Sequence, residues 1–99
     1  MKIDHIVKSG SMTVTVSGRL DTTTSPELES FLDNNLSGIT DLTFDLADLA
    51  YVSSAGLRVF LRAKKAMTGK GGMKLTNVQS GVLDIFEVTG FTDILDIES

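Results

Sequence analysis

The feature that most constrains the fold is a strand pattern that runs almost directly into a helix pattern. Leu42-Thr43-Phe44-Asp45-Leu46 alternates apolar and polar residues, as a strand with one buried face requires. Ala47-Asp48-Leu49-Ala50 follows, then Tyr51-Val52-Ser53-Ser54-Ala55-Gly56-Leu57. From about Ala55 the apolar spacing becomes helical: Gly56, Val59, Phe60, Ala63, Ala66 and Met67 share a face, with Leu57 and Leu61 beside it. The first turn of a helix leaves backbone N–H groups unpaired, and a serine side chain accepts from one of them. The same end of the helix carries a partial positive charge that favours an anion. A serine at this junction is therefore either a cap or a place where a phosphate is stabilised.

The remaining elements fall around this junction. Lys2 to Val7 and Met12-Thr13-Val14-Thr15-Val16 read as an antiparallel hairpin turning at Ser9-Gly10, with Gly18 ending the second strand. Thr24-Ser25-Pro26-Glu27 predicts a helix start, with Thr24 as N-cap and Glu27 completing a capping box. Leu28, Phe31, Leu32 and Leu36 mark its apolar face, and Asn34-Asn35 and Ser37-Gly38 stop it. Gly69, Gly71 and Gly72 close the next helix, and Met73 to Val78 alternates as a strand. A third helix carries Val82, Leu83, Ile85 and Phe86, opened by Gln79 or Ser80 and closed at Gly90. Phe91 to Ile97 reads as a last strand, preceded by one helical turn. The expected order is β-β-α-β-α-β-α-β, an α/β fold. Its mixed sheet begins with an antiparallel hairpin and continues with parallel strands under packed helices.

Composition narrows the chemistry. The 99 residues contain no cysteine, which removes disulfides, thiolate metal sites and thiol nucleophiles. His5 is the lone histidine, so neither a histidine metal cluster nor a Ser-His-Asp relay has its parts. Asp21, Asp45 and Asp48 are candidate acids, but acids at strand ends ordinarily cap or face water. Thr68-Gly69-Lys70-Gly71-Gly72 lacks phosphate-loop spacing. The net charge of −4 argues against nucleic acid. Between Asp48 and Asp84 there is no carboxylate, while Arg58, Arg62, Lys64, Lys65, Lys70 and Lys74, six of the nine basic residues, lie there. That run is either a solvated helix face and turn or a basic flank for an acidic partner or nucleotide phosphates. No signal pattern and no bilayer-length apolar run stand out, which fits a cytoplasmic protein. The expectation is a single-domain binding module over residues 1–99, not an enzyme, with no cofactor.

The run from Leu46 to Leu57 resembles the signature of the STAS domain (sulfate transporter and anti-sigma factor antagonist). Gly18-Arg19-Leu20-Asp21 resembles that family's segment before its first helix, and Val88-Thr89-Gly90-Phe91 its closing turn. The likeness covers nearly the whole chain and points to the free-standing bacterial anti-sigma factor antagonists. It implies a partner switch. The antagonist binds an anti-sigma factor that is also a serine kinase, freeing a sigma factor for transcription; phosphorylation at the helix start ends the binding, and a phosphatase resets it. In register the phosphorylated residue is Ser54, with Ser53 as second candidate, and the implied partner surface is Asp21, Thr22, Ser53, Ser54, Ala55, Gly56 and Arg58. Asp21 is expected near the Ser54 loop. Ser53 stands where the family has an aspartate, a change that either alters kinase choice or removes phosphorylation. Two alternatives follow: a non-phosphorylated STAS scaffold or transporter-associated subunit, and a nucleotide-binding protein or weak NTPase using the Arg58 and Lys70 flank. The C-terminal helix of many relatives is expected to be shortened or missing after the last strand.

Overall fold

The computed structural model describes residues 1–98, so the question of a helix after the last strand lies outside them. β1 (Lys2–Lys8) and β2 (Ser11–Leu20) form the expected hairpin, with Lys8 opposite Ser11 and Lys2 opposite Ser17. Ser9 and Gly10 turn it with φ of 52° and 83°. Two consecutive positive φ values mark a two-residue type I′ turn, whose twist matches that of the paired strands.

β2 does not end at Gly18. Its first half pairs in parallel with β3 (Asp41–Asp45), and its last three residues pair in parallel with β4 (Leu49–Val52). The changeover is a bulge: Gly18 faces Leu49 and Arg19 faces Tyr51, leaving Ala50 without a counterpart. Gly18 has φ of 90°, which a residue without Cβ adopts at little cost, and such a bulge re-aims a strand. β4 is an element that alternation does not reveal, because the bulge breaks the two-residue period. Its buried residues are Leu49 and Val52, three apart.

The helices among the described residues are α1 (Ser25–Asn35), α2 (Ser54–Ala66) and α3 (Ser80–Val88). The order is thus the expected one with β4 added before α2. β5 (Gly72–Thr76) pairs with β3, which sets β3 between β2 and β5, and β6 (Asp96–Glu98) pairs with β5; β5 stops at Thr76, short of the expected Val78, because Asn77 turns with φ of 56°. The last strand is shorter than its apolar pattern implied, because Phe91–Asp93 forms a 3-10 turn and Leu95 is buried before the strand begins.

The sheet has one covered face. Met12, Val14 and Val16, Leu42 and Phe44, and Met73 and Leu75 alternate inward. Leu28 and Leu32 of α1, Leu57, Val59, Phe60 and Ala63 of α2, and Val82 and Phe86 of α3 are buried with them. Ala66, expected on that face of α2, is exposed. Phe44, Phe60 and Phe86 meet edge to face, with centroids 5.2 and 6.0 Å apart, so strand, second helix and third helix share one aromatic stack. The alternate residues Thr13, Thr15, Thr43, Asp45, Lys74 and Thr76 remain exposed or half-buried. Phe60 is the middle ring of the stack. Truncation by Phe60→Ala is expected to cost about 3–5 kcal/mol in a denaturant titration, a large part of a small domain's stability.

Candidate functional site

The end of β2 and the start of α2 are joined by one backbone bond. Ser53 N–H donates to Leu20 C=O at 2.8 Å, extending the β2–β4 ladder by one residue. That bond holds Ser53 extended, with φ −90° and ψ 175°, so Ser53 is the N-cap and the helix opens at Ser54, one residue before Ala55. Ser53 Oγ accepts from Gly56 N–H at 3.4 Å, and its carbonyl accepts the first helical bond from Leu57 N–H at 2.9 Å. Ser54 is exposed, and its hydroxyl has no hydrogen bond among the described residues. The two roles that the sequence allowed for Ser54 therefore fall on different residues: Ser53 caps, and Ser54 presents a free hydroxyl at the positive end of the helix dipole.

Gly56 sets how closely α2 approaches β2. A Cβ at this position would lie 2.8 to 3.0 Å from the Leu20 side chain and carbonyl, closer than contact permits. Gly56 is buried, so it positions the surface rather than forming part of it.

Asp21, next after Leu20, is brought beside the start of α2 as expected, but its carboxylate is turned to its own loop. Oδ1 accepts from Thr23 N–H and Thr24 N–H, both at 3.0 Å. Thr24 occupies the N-cap position of α1 without capping it. Its hydroxyl accepts from Asp21 N–H at 2.9 Å and lies 2.8 Å from Arg19 C=O, so the expected capping box with Glu27 does not form. Asp21 C=O accepts from Ser25 N–H at 2.8 Å and from Ser25 Oγ at 2.5 Å. The Thr24 N–H, then the Thr24 hydroxyl, Thr23 N–H and Arg19, hold the Asp21 carboxyl below its ordinary value against an opposing effect of burial.

Thr22, Ala55 and Arg58 come together with Ser25, Pro26 and Glu29 around an open cleft of about 270 Å³ between the starts of α1 and α2. The basic run does not form one patch. Arg62 bridges Glu29 at 3.0 Å and Asp33 at 3.2 Å, tying α2 to α1, and Lys74 lies 3.5 Å from Glu98. α2 runs about 12 Å along its axis from Arg58 to its end at Ala66, and Lys70 lies in the turn beyond that end.

Sequence reasoning missed one contact at the site. Arg19 sits over the Tyr51 ring, 4.3 Å from its centroid. The pair exists because the bulge puts Arg19 opposite Tyr51, and no spacing rule in the sequence exposes that register. His5 packs edge-on against Phe31 at 5.0 Å, away from the serines in sequence and sheet position. No group of three or more metal-ligating side chains clusters among the described residues.

Four variants test these assignments. Ser53→Ala is expected to cost about 0.5–2 kcal/mol of stability, Ser53→Asp to cost little because aspartate caps equally well, and Ser54→Ala to stay within about 0.5 kcal/mol, all by denaturant titration. Asp21 has a depressed carboxyl, so its stabilisation is complete above the unfolded-state value and is lost as pH falls through the lower folded-state value. Asp21→Asn is expected to flatten that acid limb in melts recorded as a function of pH.

Comparison with known proteins places this geometry in a family. The STAS domain model matches residues 2–99. The chain is 30% identical over 100 residues to the anti-sigma-B factor antagonist of Bacillus subtilis, covering 100% of this chain and 92% of that one. It is 31% identical over 87 residues to the protein of the same description from Listeria monocytogenes, covering 85% and 75%. Among solved structures, an anti-sigma factor antagonist from Mycobacterium paratuberculosis superposes with a TM-score of 0.87 at 20% identity, covering 97% of this chain and 83% of that one. The unphosphorylated form of the anti-sigma factor antagonist SpoIIAA superposes with a TM-score of 0.83 at 15% identity, covering 99% and 89%. No helix among the described residues is long and apolar enough to cross a membrane. The hairpin-led mixed sheet, the serine pair at the start of α2 and these likenesses together make the chain a member of the STAS domain family, among the anti-sigma factor antagonists.

Proposed function

We propose that this protein is a cytoplasmic partner switch. Unphosphorylated, it binds an anti-sigma factor that is a serine kinase, and so releases a sigma factor. The kinase transfers the γ-phosphoryl group of ATP to Ser54 Oγ, ADP leaves, and the antagonist is released; a serine phosphatase restores the hydroxyl. The observation that carries this reading is the division of labour at the start of α2. Ser54 is exposed and its hydroxyl unbonded among the described residues, while the cap that the helix needs is supplied by Ser53.

The energetics favour release without unfolding. A phosphate brings about −1.5 to −2 charges and three acceptor oxygens. The first turn of α2 contains no acidic residue to repel it, and the dipole favours it there. The cost therefore falls on the complex, where a hydrated dianion meets a surface fitted to a hydroxyl. A hundredfold loss of affinity needs about 2.7 kcal/mol, within what an unpaired buried charge costs. The surface in contact is Thr22, Ala55 and Arg58 around the cleft and the exposed Ser54 at the start of α2, with Asp21, Ser53 and Gly56 shaping it from behind.

The scaffold alternative drew its support from the absence of an aspartate at position 53. Ser53 performs a cap that aspartate would also perform, so its presence is no sign that the switch has been lost. With a cognate kinase and ATP, peptide mapping by mass spectrometry is expected to find phosphate on Ser54. Ser54→Asp is expected to weaken binding by about a hundredfold, and Ser54→Ala to bind without release. Phosphate on neither serine would refute the switch.

A further inference from the structure

The outer edge of β1 is an open strand seven residues long, Lys2–Lys8, paired among the described residues only with β2. It carries two of the exposed large apolar side chains: Ile6 is 73% and Val7 51% exposed. Exposed strand edges are templates for further pairing. The type I′ turn fixes which backbone groups face outward. Lys8 and Ser11 flank that two-residue turn and form its hydrogen-bonded pair, so Lys8, Ile6, Asp4 and Lys2 direct their N–H and C=O groups at β2. Val7, His5 and Ile3 direct theirs outward. The side chains alternate as well. Ile6 stands opposite Thr13 on the uncovered face, and Val7 opposite the buried Met12 on the helix side.

We propose that β1 pairs antiparallel with β1 of a second copy, across a two-fold axis at Ile6. Only outward-facing residues can exchange bonds, which leaves three central registers. Pairing Ile3 with Val7 sets Lys2 opposite Lys8. Pairing Ile3 with His5 sets Asp4 opposite Asp4. Pairing His5 with Val7 sets Asp4 opposite Lys8 at both ends and Ile6 against Ile6 between them. This third register alone matches opposite charges and covers the exposed isoleucine. On the helix side it lays Val7 against the second copy's His5, whose ring already rests on Phe31. In the single chain the ion pair of Asp4 among the described residues is with Lys2, at 3.8 Å with both side chains largely in water, a contact worth little that the dimer exchanges. The interface is isologous, as a closed two-fold pair requires, and two sheets continue into one. It contains none of the residues assigned to the switch and does not depend on that assignment.

The chain has no cysteine, so a single introduced thiol reports its own position. Ile6 sits at a non-hydrogen-bonded position of the proposed pair, where Cα atoms approach to about 4.5 Å, within disulfide range. Ile6→Cys is expected to form a dimer under oxidised glutathione, which takes up the two electrons. Val88→Cys, more accessible still on α3, is expected to stay largely monomeric at the same concentration. In sedimentation equilibrium the unmodified chain is expected to show a concentration-dependent dimer. Asp4→Lys and Lys8→Asp are each expected to weaken it by about tenfold or more, and the double variant to restore it. Both substitutions lie on an exposed edge, and unchanged thermal melts separate a lost interface from a lost fold. A chain that remains monomeric to about 1 mM overturns the proposal. So does cross-linking no greater for Ile6→Cys than for Val88→Cys, or a double variant no tighter than the singles. Any of these outcomes leaves the edge to a different partner.

Discussion

The bond from Ser53 N–H to Leu20 C=O is where sheet and site become one object. It exists only because β2 is long enough to serve two neighbours. The first half of β2 lies beside β3 in the body of the sheet. The bulge at Gly18 and Arg19 then swings its end over to β4. Once Leu20 is there, its carbonyl fixes the residue before α2 in an extended conformation, and its side chain and carbonyl leave no room for a Cβ at Gly56. The start of α2 is thereby held on a rigid strand end instead of a free loop. Such mounting keeps a hydroxyl in one place for a partner to find.

Adjacent serines would be redundant on a loose loop. Here the backbone makes them unequal. A residue whose N–H completes a strand ladder is extended and faces back over the first helical turn, so its side chain caps. The next residue has helical geometry, and its side chain projects into solvent. This inequality explains why an aspartate and a serine are exchangeable at position 53 for the purpose of the helix, while position 54 has no structural duty. The loop before α1 shows a similar economy. Asp21 and Thr24 occupy each other's hydrogen-bonding groups, and the outcome is a fixed loop that presents Thr22 outward.

Most of the architecture could be read from the sequence, because alternation in Met12 to Val16, Leu42 to Leu46 and Met73 to Thr76 reports a sheet with one covered face, and the three- and four-residue spacing from Gly56 to Met67 reports the helix on it. What could not be read had a common cause. β4, the continuation of β2 past Gly18 and the Arg19–Tyr51 contact all depend on a bulge, which removes the period that pattern reading relies on. The capping box at Thr24 is a different kind of failure. The residues were right for a cap, but Asp21 competes for the same hydroxyl, and a rule that looks forward from Thr24 does not see a competitor three residues behind it. The basic run between Asp48 and Asp84 looked like one feature in one dimension. In three, α1 and β6 bring carboxylates to Arg62 and Lys74 and divide it.

The Arg19–Tyr51 contact also gives the molecule an optical property. Tyr51 is the sole tyrosine in a chain without tryptophan, so ultraviolet emission from this protein comes essentially from one ring. That ring lies on β4, two residues before the capping serine, with a guanidinium resting on its face. A partner that docks at the start of α2, or a dianion that draws Arg19 away, changes the surroundings of the only emitter. The protein thus carries an intrinsic fluorophore beside its own candidate switch, readable without a label.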